Sequence, residues 1–233
     1  MICLYQGDEP TMAARLRIFS FTVILLLIGC LVAAAGTDAE LLGKILDGVE
    51  KRYAGPGFSA KFFQESMLKA MQISDTAEGG LTVKRPGKMR WQYTIPDNQT
   101  IISDGRTMWI YRPSDNQVMV GKAPEYFAAG KGAGFLSDIR QIRKGFRIET
   151  QKAENEAYYR LRLVPKKKSA DLSDVILSIE KSTFRIDQVV THNDYGDETQ
   201  ITLSDYHFNL NPDESLFTFE IPEGVDVVRM DQP

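Results

Sequence analysis

Residues Leu81–Tyr111 read LTVKRPGKMRWQYTIPDNQTIISDGRTMWIY. Short strand-like segments at Leu81–Lys84, Met89–Thr94, Thr100–Ser103 and Thr107–Tyr111 are separated by turn residues. Asp104-Gly105 is a hairpin signal, because a tight turn between strands needs positive φ at its centre and glycine supplies it without a steric penalty. Pro86 stops the first segment and holds Arg85 in an extended conformation. The polar residues punctuate the strands and do not gather into a catalytic set, so the stretch reads as the wall of a binding surface.

The same pattern runs outward in both directions. Gln117–Val120, Gly145–Glu149, Tyr158–Val164, Val175–Glu180, Arg185–Thr191 and Glu198–Phe208 are further strand candidates, and Asp194-Tyr195-Gly196-Asp197 is a turn. Phe58, Ala60 and Phe62 alternate, after which the pattern loses its period toward Met71 and meets a small, acidic stretch, Asp75–Gly80, read as a turn. Two segments break the strand pattern. Leu41, Leu42, Ile45, Leu46 and Val49 follow a helical spacing behind a capping Asp38, giving a stripe suited to packing on a sheet. From Pro124 to Ile142, glycines 130, 132 and 134 interrupt helical signals at Tyr126 and Phe127, and at Phe135, Leu136 and Ile139. That interruption reads either as a corner element or as a movable cover over one sheet face. The expected fold is mainly β, an incomplete, unclosed antiparallel barrel of about eleven strands with a helical lid, which fits one domain over residues 36–233.

The first 35 residues look different. Arg15 and Arg17 precede the apolar run IFSFTVILLLI (18–28), followed by Gly29, Cys30 and the small residues Ala33, Ala34 and Ala35. A basic flank, a short apolar core and small residues behind it make an export signal, and Met12 suits the start of one better than the acidic residues upstream do. Cleavage after Ala35 would leave no cysteine, because Cys3 and Cys30 are the only two. Leu27-Ile28-Gly29-Cys30 alternatively resembles a lipobox, with Cys30 acylated and the protein held at the outer membrane.

Net charge is −3, and removing the leader leaves it unchanged, since Arg15 and Arg17 balance Asp8 and Glu9. A nucleic-acid binder is expected to carry a basic excess or stripe, so nucleic acid is excluded as a partner. Only two histidines occur, His192 and His207, and neither sits at metal-ligand spacing, so no metal or cofactor is expected. No G-x-S-x-G elbow is present, and Gly130-Lys131-Gly132-Ala133-Gly134 lacks the Lys-Ser/Thr of a P-loop. The protein is read as a non-enzyme.

The aromatic residues carry more weight. Trp91 and Tyr93 share one strand parity, Trp109 and Tyr111 share another, and Phe58 and Phe62 add large side chains near the start of the sheet. They read as core, or as the lining of a hollow that takes acyl chains, where each buried methylene contributes about 0.8 kcal/mol. Arg85 reads as a rim charge, or as a latch whose guanidinium turns inward onto backbone carbonyls of a covering helix.

Val83-Lys84-Arg85-Pro86, Met89-Arg90-Trp91, Pro96, Ser103–Thr107 and Trp109-Ile110-Tyr111, with Phe58–Gln64 and the late Phe217-Thr218-Phe219 and Pro222–Val225, resemble the outer-membrane lipoprotein carrier protein family, LolA. The resemblance implies a monomeric periplasmic chaperone for lipoproteins bound for the outer membrane. Its partners would be an inner-membrane ATP-driven releasing complex and an outer-membrane lipoprotein acceptor. It also implies that Arg85 is the lid latch and that Trp91, Trp109, Phe58 and Phe62 lie in or near the acyl-chain cavity; Tyr93 and Tyr111 are further candidates for its lining, and Tyr126, Phe127, Phe135, Leu136 and Ile139 are candidates for the lid. The alternatives are a membrane-anchored acceptor or other lipid carrier acylated at Cys30, and a non-catalytic structural envelope protein.

Overall fold

The structure, a computed structural model, describes residues 38–124 and 131–230. The export signal, Cys30, Tyr126 and Phe127 lie outside the described residues. The chain divides into two units, Met1–Lys44 and Ile45–Pro233. In the first, residues 38–44 are helical. The second contains helical residues 45–52 and a single twelve-stranded sheet.

The strands are β1 (Gly57–Leu68), β2 (Ile73–Lys84), β3 (Lys88–Ile95), β4 (Gln99–Asp104), β5 (Thr107–Arg112), β6 (Gln117–Lys122), β7 (Phe146–Gln151), β8 (Tyr158–Pro165), β9 (Asp174–Glu180), β10 (Ile186–His192), β11 (Glu198–Phe208) and β12 (Asp226–Arg229). Their order across the sheet is β12-β6-β5-β4-β3-β2-β1-β11-β10-β9-β8-β7. The sheet is therefore two meanders joined at β1, which pairs with β2 on one side and β11 on the other. Among the described residues β7 and β12 form no ladder with one another, so the sheet is unclosed. It is mixed and not purely antiparallel as the sequence suggests, because the last strand, β12, runs parallel to β6. The chain reaches β6 from the far side of the sheet through the tail, and Asn116 fixes the arrival: its carbonyl accepts from the Asp226 N–H, and its side-chain amide donates to the Gly224 carbonyl.

The Asp104-Gly105 turn forms as expected. Gly105 has φ +93°, and the Asp104 carboxylate accepts from the N–H groups of Arg106 and Thr107 at 2.8 and 2.7 Å. Asp75–Gly80, expected as a turn, is strand. The chain reverses earlier, around Gln72 at φ +54°, and β2 pairs with β1 from Ile73↔Leu68 to Lys84↔Gly57. Ile73–Thr76 are exposed on both faces, so no burial forces alternation upon their sequence. Gly79 is needed where β2 meets β3: a Cβ there would stand 2.0 Å from the Gln92 carbonyl oxygen and 2.8 Å from the Phe62 ring.

Cross-strand register decides which side chains share a face. One face carries Phe58, Ala60 and Phe62 of β1, Leu81 and Val83 of β2, Met89 and Trp91 of β3, Ile101 of β4 and Met108 and Ile110 of β5, all buried. It continues past β1 through Leu203, Ile201, Val189, Leu177 and Leu161. Ile45, Leu46 and Val49 from the helix are buried as well. The helix approaches closely at Gly48, where a Cβ would fall 2.3 Å from the Phe184 ring.

Tyr53, just beyond the helix, is fully buried and ties it to the sheet. Its ring meets Phe58 and Phe208 edge-on at 5.2 and 5.3 Å. Its hydroxyl accepts from the Ile186 N–H at 3.1 Å and donates to the Tyr206 hydroxyl, which donates to the Ile186 carbonyl at 2.6 Å. Burial pushes the Tyr53 hydroxyl from its ordinary 10.0 up to about 12 and raises Tyr206 well above its ordinary value. Both folded-state values are raised, so the stability these neutral hydroxyls supply is complete below pH 10 and is lost as pH climbs through about 12. Circular dichroism should show alkaline unfolding in that window. Tyr53→Phe, which leaves the Ile186 N–H without its acceptor, should lower stability at neutral pH by about 1–3 kcal/mol and shrink the alkaline transition.

Candidate functional site: an apolar sheet face under a cover

Phe62, Trp91 and Tyr93 form an aromatic cluster on the buried face. Phe62 contacts both other rings edge-on with centroids 4.8 Å apart, and the Trp91 indole N–H points at the Met89 sulfur at 3.4 Å. The Tyr93 hydroxyl donates to Gln64 at 3.1 Å, so the cluster ends in a polar row. Four of the six predicted lining residues, Phe58, Phe62, Trp91 and Tyr93, are thus on one face.

The other two are elsewhere. Trp91 lies opposite Ile101, which lies opposite Ile110, whereas Trp109 pairs with Ile102 and through it with Arg90. Trp109 and Tyr111 therefore face the opposite side of the sheet. There they meet Phe219 of the tail, at 6.4 and 5.3 Å between centroids. The signal was in the sequence: the two-residue turn after Asp104 fixes the register, and counting back across it puts Trp109 out of phase with Trp91.

That outer face is covered by residues 213–219. Asp213 caps the turn Glu214–Phe217 by accepting from the Ser215 N–H, and Phe217 is buried. Basic residues of the quoted stretch hold it down. Lys84 donates to the Pro212 carbonyl at 2.8 Å and pairs with Glu214 at 2.9 Å, Lys88 also pairs with Glu214, and Arg90 donates to the Leu216 carbonyl. Their reach to the tail was not legible locally, because the partners lie more than a hundred residues downstream.

The cover of the inner face comes from residues 131–145. Phe135, Leu136, Ile139 and Ile142 are buried, and the turn Lys131–Ser137 packs against β2. Arg143 pairs with Asp47 and Glu50 of the first helix, joining the two covering pieces. Between the cover and the strand ends lies a cavity of about 510 Å³, lined mainly by apolar atoms of Pro86, Gly87, Gly105, Phe135, Phe146 and Pro165. This is the size of a small-molecule site.

Arg85 sits at that edge, half-buried. Its backbone N–H donates to the Pro56 carbonyl at 2.9 Å and its Nη1 to the Gly55 carbonyl at 3.2 Å, while Nη2 is buried without a hydrogen-bond partner. The carbonyls belong to the loop after the helix and not to a covering helix. Burial lowers the Arg85 pKa, an effect that Asp138 on the cover partly offsets. Burial alone would raise the Asp138 carboxyl, but hydrogen bonds from Arg140 and Gln141 outweigh it and hold the group below its usual range.

Among the described residues no group of three His, Cys, Asp or Glu side chains is arranged to hold a metal ion. His192 bridges Asp174 and Glu198, and Asp174 also accepts from Arg162 at 2.8 and 3.0 Å, a surface ion network with no nucleophile in it.

The sequence pattern of the family described as outer membrane lipoprotein carrier protein LolA matches residues 56–220. An outer-membrane lipoprotein carrier protein of Chromohalobacter salexigens is 29% identical over 200 residues, covering 85% of this chain and 90% of its own. The corresponding protein of Hahella chejuensis is 30% identical over 199 residues, covering 84% and 89%. Among solved structures, an uncharacterized conserved protein from Thermus thermophilus superposes with a TM-score of 0.51 over 81% of this chain and 98% of its own; at 15% identity the likeness concerns the fold alone. The matched span takes in every strand from β1 to β11 together with Arg85, the aromatic face and its cover, and the chain belongs to the outer-membrane lipoprotein carrier protein family, LolA.

Proposed function

We propose that this protein carries lipoproteins across the periplasm from an inner-membrane ATP-driven releasing complex to an outer-membrane acceptor, as a monomer, with their acyl chains against the face that holds Phe58, Phe62, Trp91 and Tyr93. Its family is one of non-catalytic periplasmic carriers. In this reading the sheet curls into an incomplete barrel, and residues 131–145 are the lid that acyl chains displace.

The observation that carries the proposal is the state of Arg85. A half-buried guanidinium with one buried nitrogen left without a hydrogen bond is a poor choice for a fixed core. It suits a contact that is made and broken. In the closed state Arg85 has the Gly55 carbonyl and the compensating charge of Asp138. With the lid displaced it keeps the Gly55 carbonyl, which belongs to the loop before β1, but loses the compensating charge of Asp138 and faces hydrocarbon, so the loaded carrier is held at higher free energy than the empty one. Handover to a tighter-binding acceptor then runs downhill without a nucleotide.

Native purification from the envelope followed by lipid and protein mass spectrometry tests the reading. Recovery of triacylated lipoproteins in stoichiometric amounts is the expected result. Recovery of free phospholipid alone, or of no lipid, would overturn it.

A further inference from the structure

The open sheet has a third free edge besides its two ends. β2 pairs with β1 along its whole length, but its pairing with β3 begins only at Glu78↔Ile95, because β3 ends there. Ile73–Ala77 is therefore strand on one side and, among the described residues, unpaired on the other, with residues 73–76 exposed. An extended strand presents backbone donors and acceptors to an unpaired side, and the group that satisfies them is another extended backbone.

Natural edges are guarded by lysine, proline or a bulge, or are kept short. β7 alternates Arg147 and Glu149, and β12 has four residues. ISDTA (73–77) has no proline and no basic residue, and its bulge lies beyond it, between Glu78 and Gly79. Ile73 and Ile95, 44% and 51% exposed, stand at the two ends of the open stretch, where an added strand would cover them.

A cleft of about 420 Å³ adjoins the edge and shares Ala77 with it; Tyr93, Asp97, Asn98, Arg112 and Asp115 also line it. Its chemistry sets the sign of the occupant. Arg112 is engaged with Asp115 and Gln99. Asp75, Glu78 and Asp97 form no ion pair among the described residues, which leaves the edge and cleft acidic.

We propose that the Ile73–Ala77 edge of β2 binds an extended, lysine- or arginine-containing segment of another polypeptide as an added strand. The site borders the acyl-chain face at Tyr93 but is built on the unpaired β2 edge, and it does not depend on the carrier reading. Side chains on one face of the added strand enter the acidic cleft, while its backbone continues the ladder that β3 leaves off.

The test uses a capped hexapeptide of alternating lysine and valine with the isotope-labelled protein, reading affinity and amide hydrogen exchange. Saturable binding with new protection confined to residues 73–77 is expected. Methylating alternate peptide nitrogens, which removes ladder donors without altering the side chains, should weaken binding about tenfold or more, and glutamate in place of lysine should do likewise. An Asp75→Lys, Glu78→Lys double variant should bind the lysine peptide equally poorly while melting within a few degrees of the parent. Equal affinity of the N-methylated peptide, or protection at β7 or β12 instead, would overturn the proposal. Protection of 73–77 that rises with protein concentration in the absence of peptide would also overturn it, and would assign the edge to a second copy of this chain.

Discussion

Acyl chains brominated along their length should quench Trp91 and leave Trp109 bright. The chain contains only these two tryptophans, so single-tryptophan proteins made by Trp109→Phe and Trp91→Phe report the two faces of the sheet separately. Heavy-atom quenching needs near contact. Trp91 stands in the Phe62–Tyr93 cluster on the proposed acyl-chain face, whereas Trp109 sits across the sheet against Phe219. The affinity counterpart follows from area. Truncating Trp91 to Ala removes contact equivalent to roughly two or three methylenes, about 2 kcal/mol, and should weaken acyl-chain binding roughly thirtyfold. Trp109→Ala should change it by less than about twofold, although both variants lose stability through lost packing. Equal quenching of the two tryptophans would mean that the chains are not held on the proposed face.

This contrast also shows where the sequence was transparent and where it was not. β3, β5 and most of β6 were legible because burial alternates along them and writes a period of two into the residues, and β4 because Asp104-Gly105 has few conformational options. The outer half of the β1–β2 hairpin was not. Nothing packs on Ile73–Thr76, so Asp75–Gly80 looks like a turn although backbone pairing carries the strand straight through it. The parallel strand β12 is four exposed residues whose placement depends on Asn116 and on a tail fastened by Lys84, Lys88 and Arg90. These are contacts at long sequence separation, and no local pattern encodes them. At the site, the identity of Arg85 was readable from its position before Pro86. Its actual acceptor, the Gly55 carbonyl, required the loop after the helix to come home against the β2–β3 turn.

Replacing Arg85 by Leu should leave lipoprotein uptake intact and slow release to acceptor membranes by roughly ten- to a hundredfold. The magnitude comes from the charge at stake: the attraction of a carboxylate several ångströms away for a half-buried cation contributes about 1.5–3 kcal/mol, and each 1.4 kcal/mol is a factor of ten. In the parent that compensation exists only when the lid is closed, so it favours the empty carrier. Leu has no such preference and is at ease beside hydrocarbon, so the loaded state is relieved of its penalty and holds its cargo. Folding should not suffer. The substitution deletes a buried charge whose Nη2 has no partner, and replacing an under-satisfied buried ion with an apolar side chain is commonly neutral or stabilising. The melting temperature of the empty protein should therefore be unchanged or higher, which separates a latch from a structural arginine, whose loss would lower it. Arg85→Lys sharpens the distinction. Only one guanidinium nitrogen is used on Gly55, so a single ammonium donor can take its place and release should stay within severalfold of the parent. Transfer from an Arg85→Leu carrier at the parental rate would sink the latch, and a lysine variant as slow as the leucine one would show that the planar fork, and not the cationic charge, does the holding.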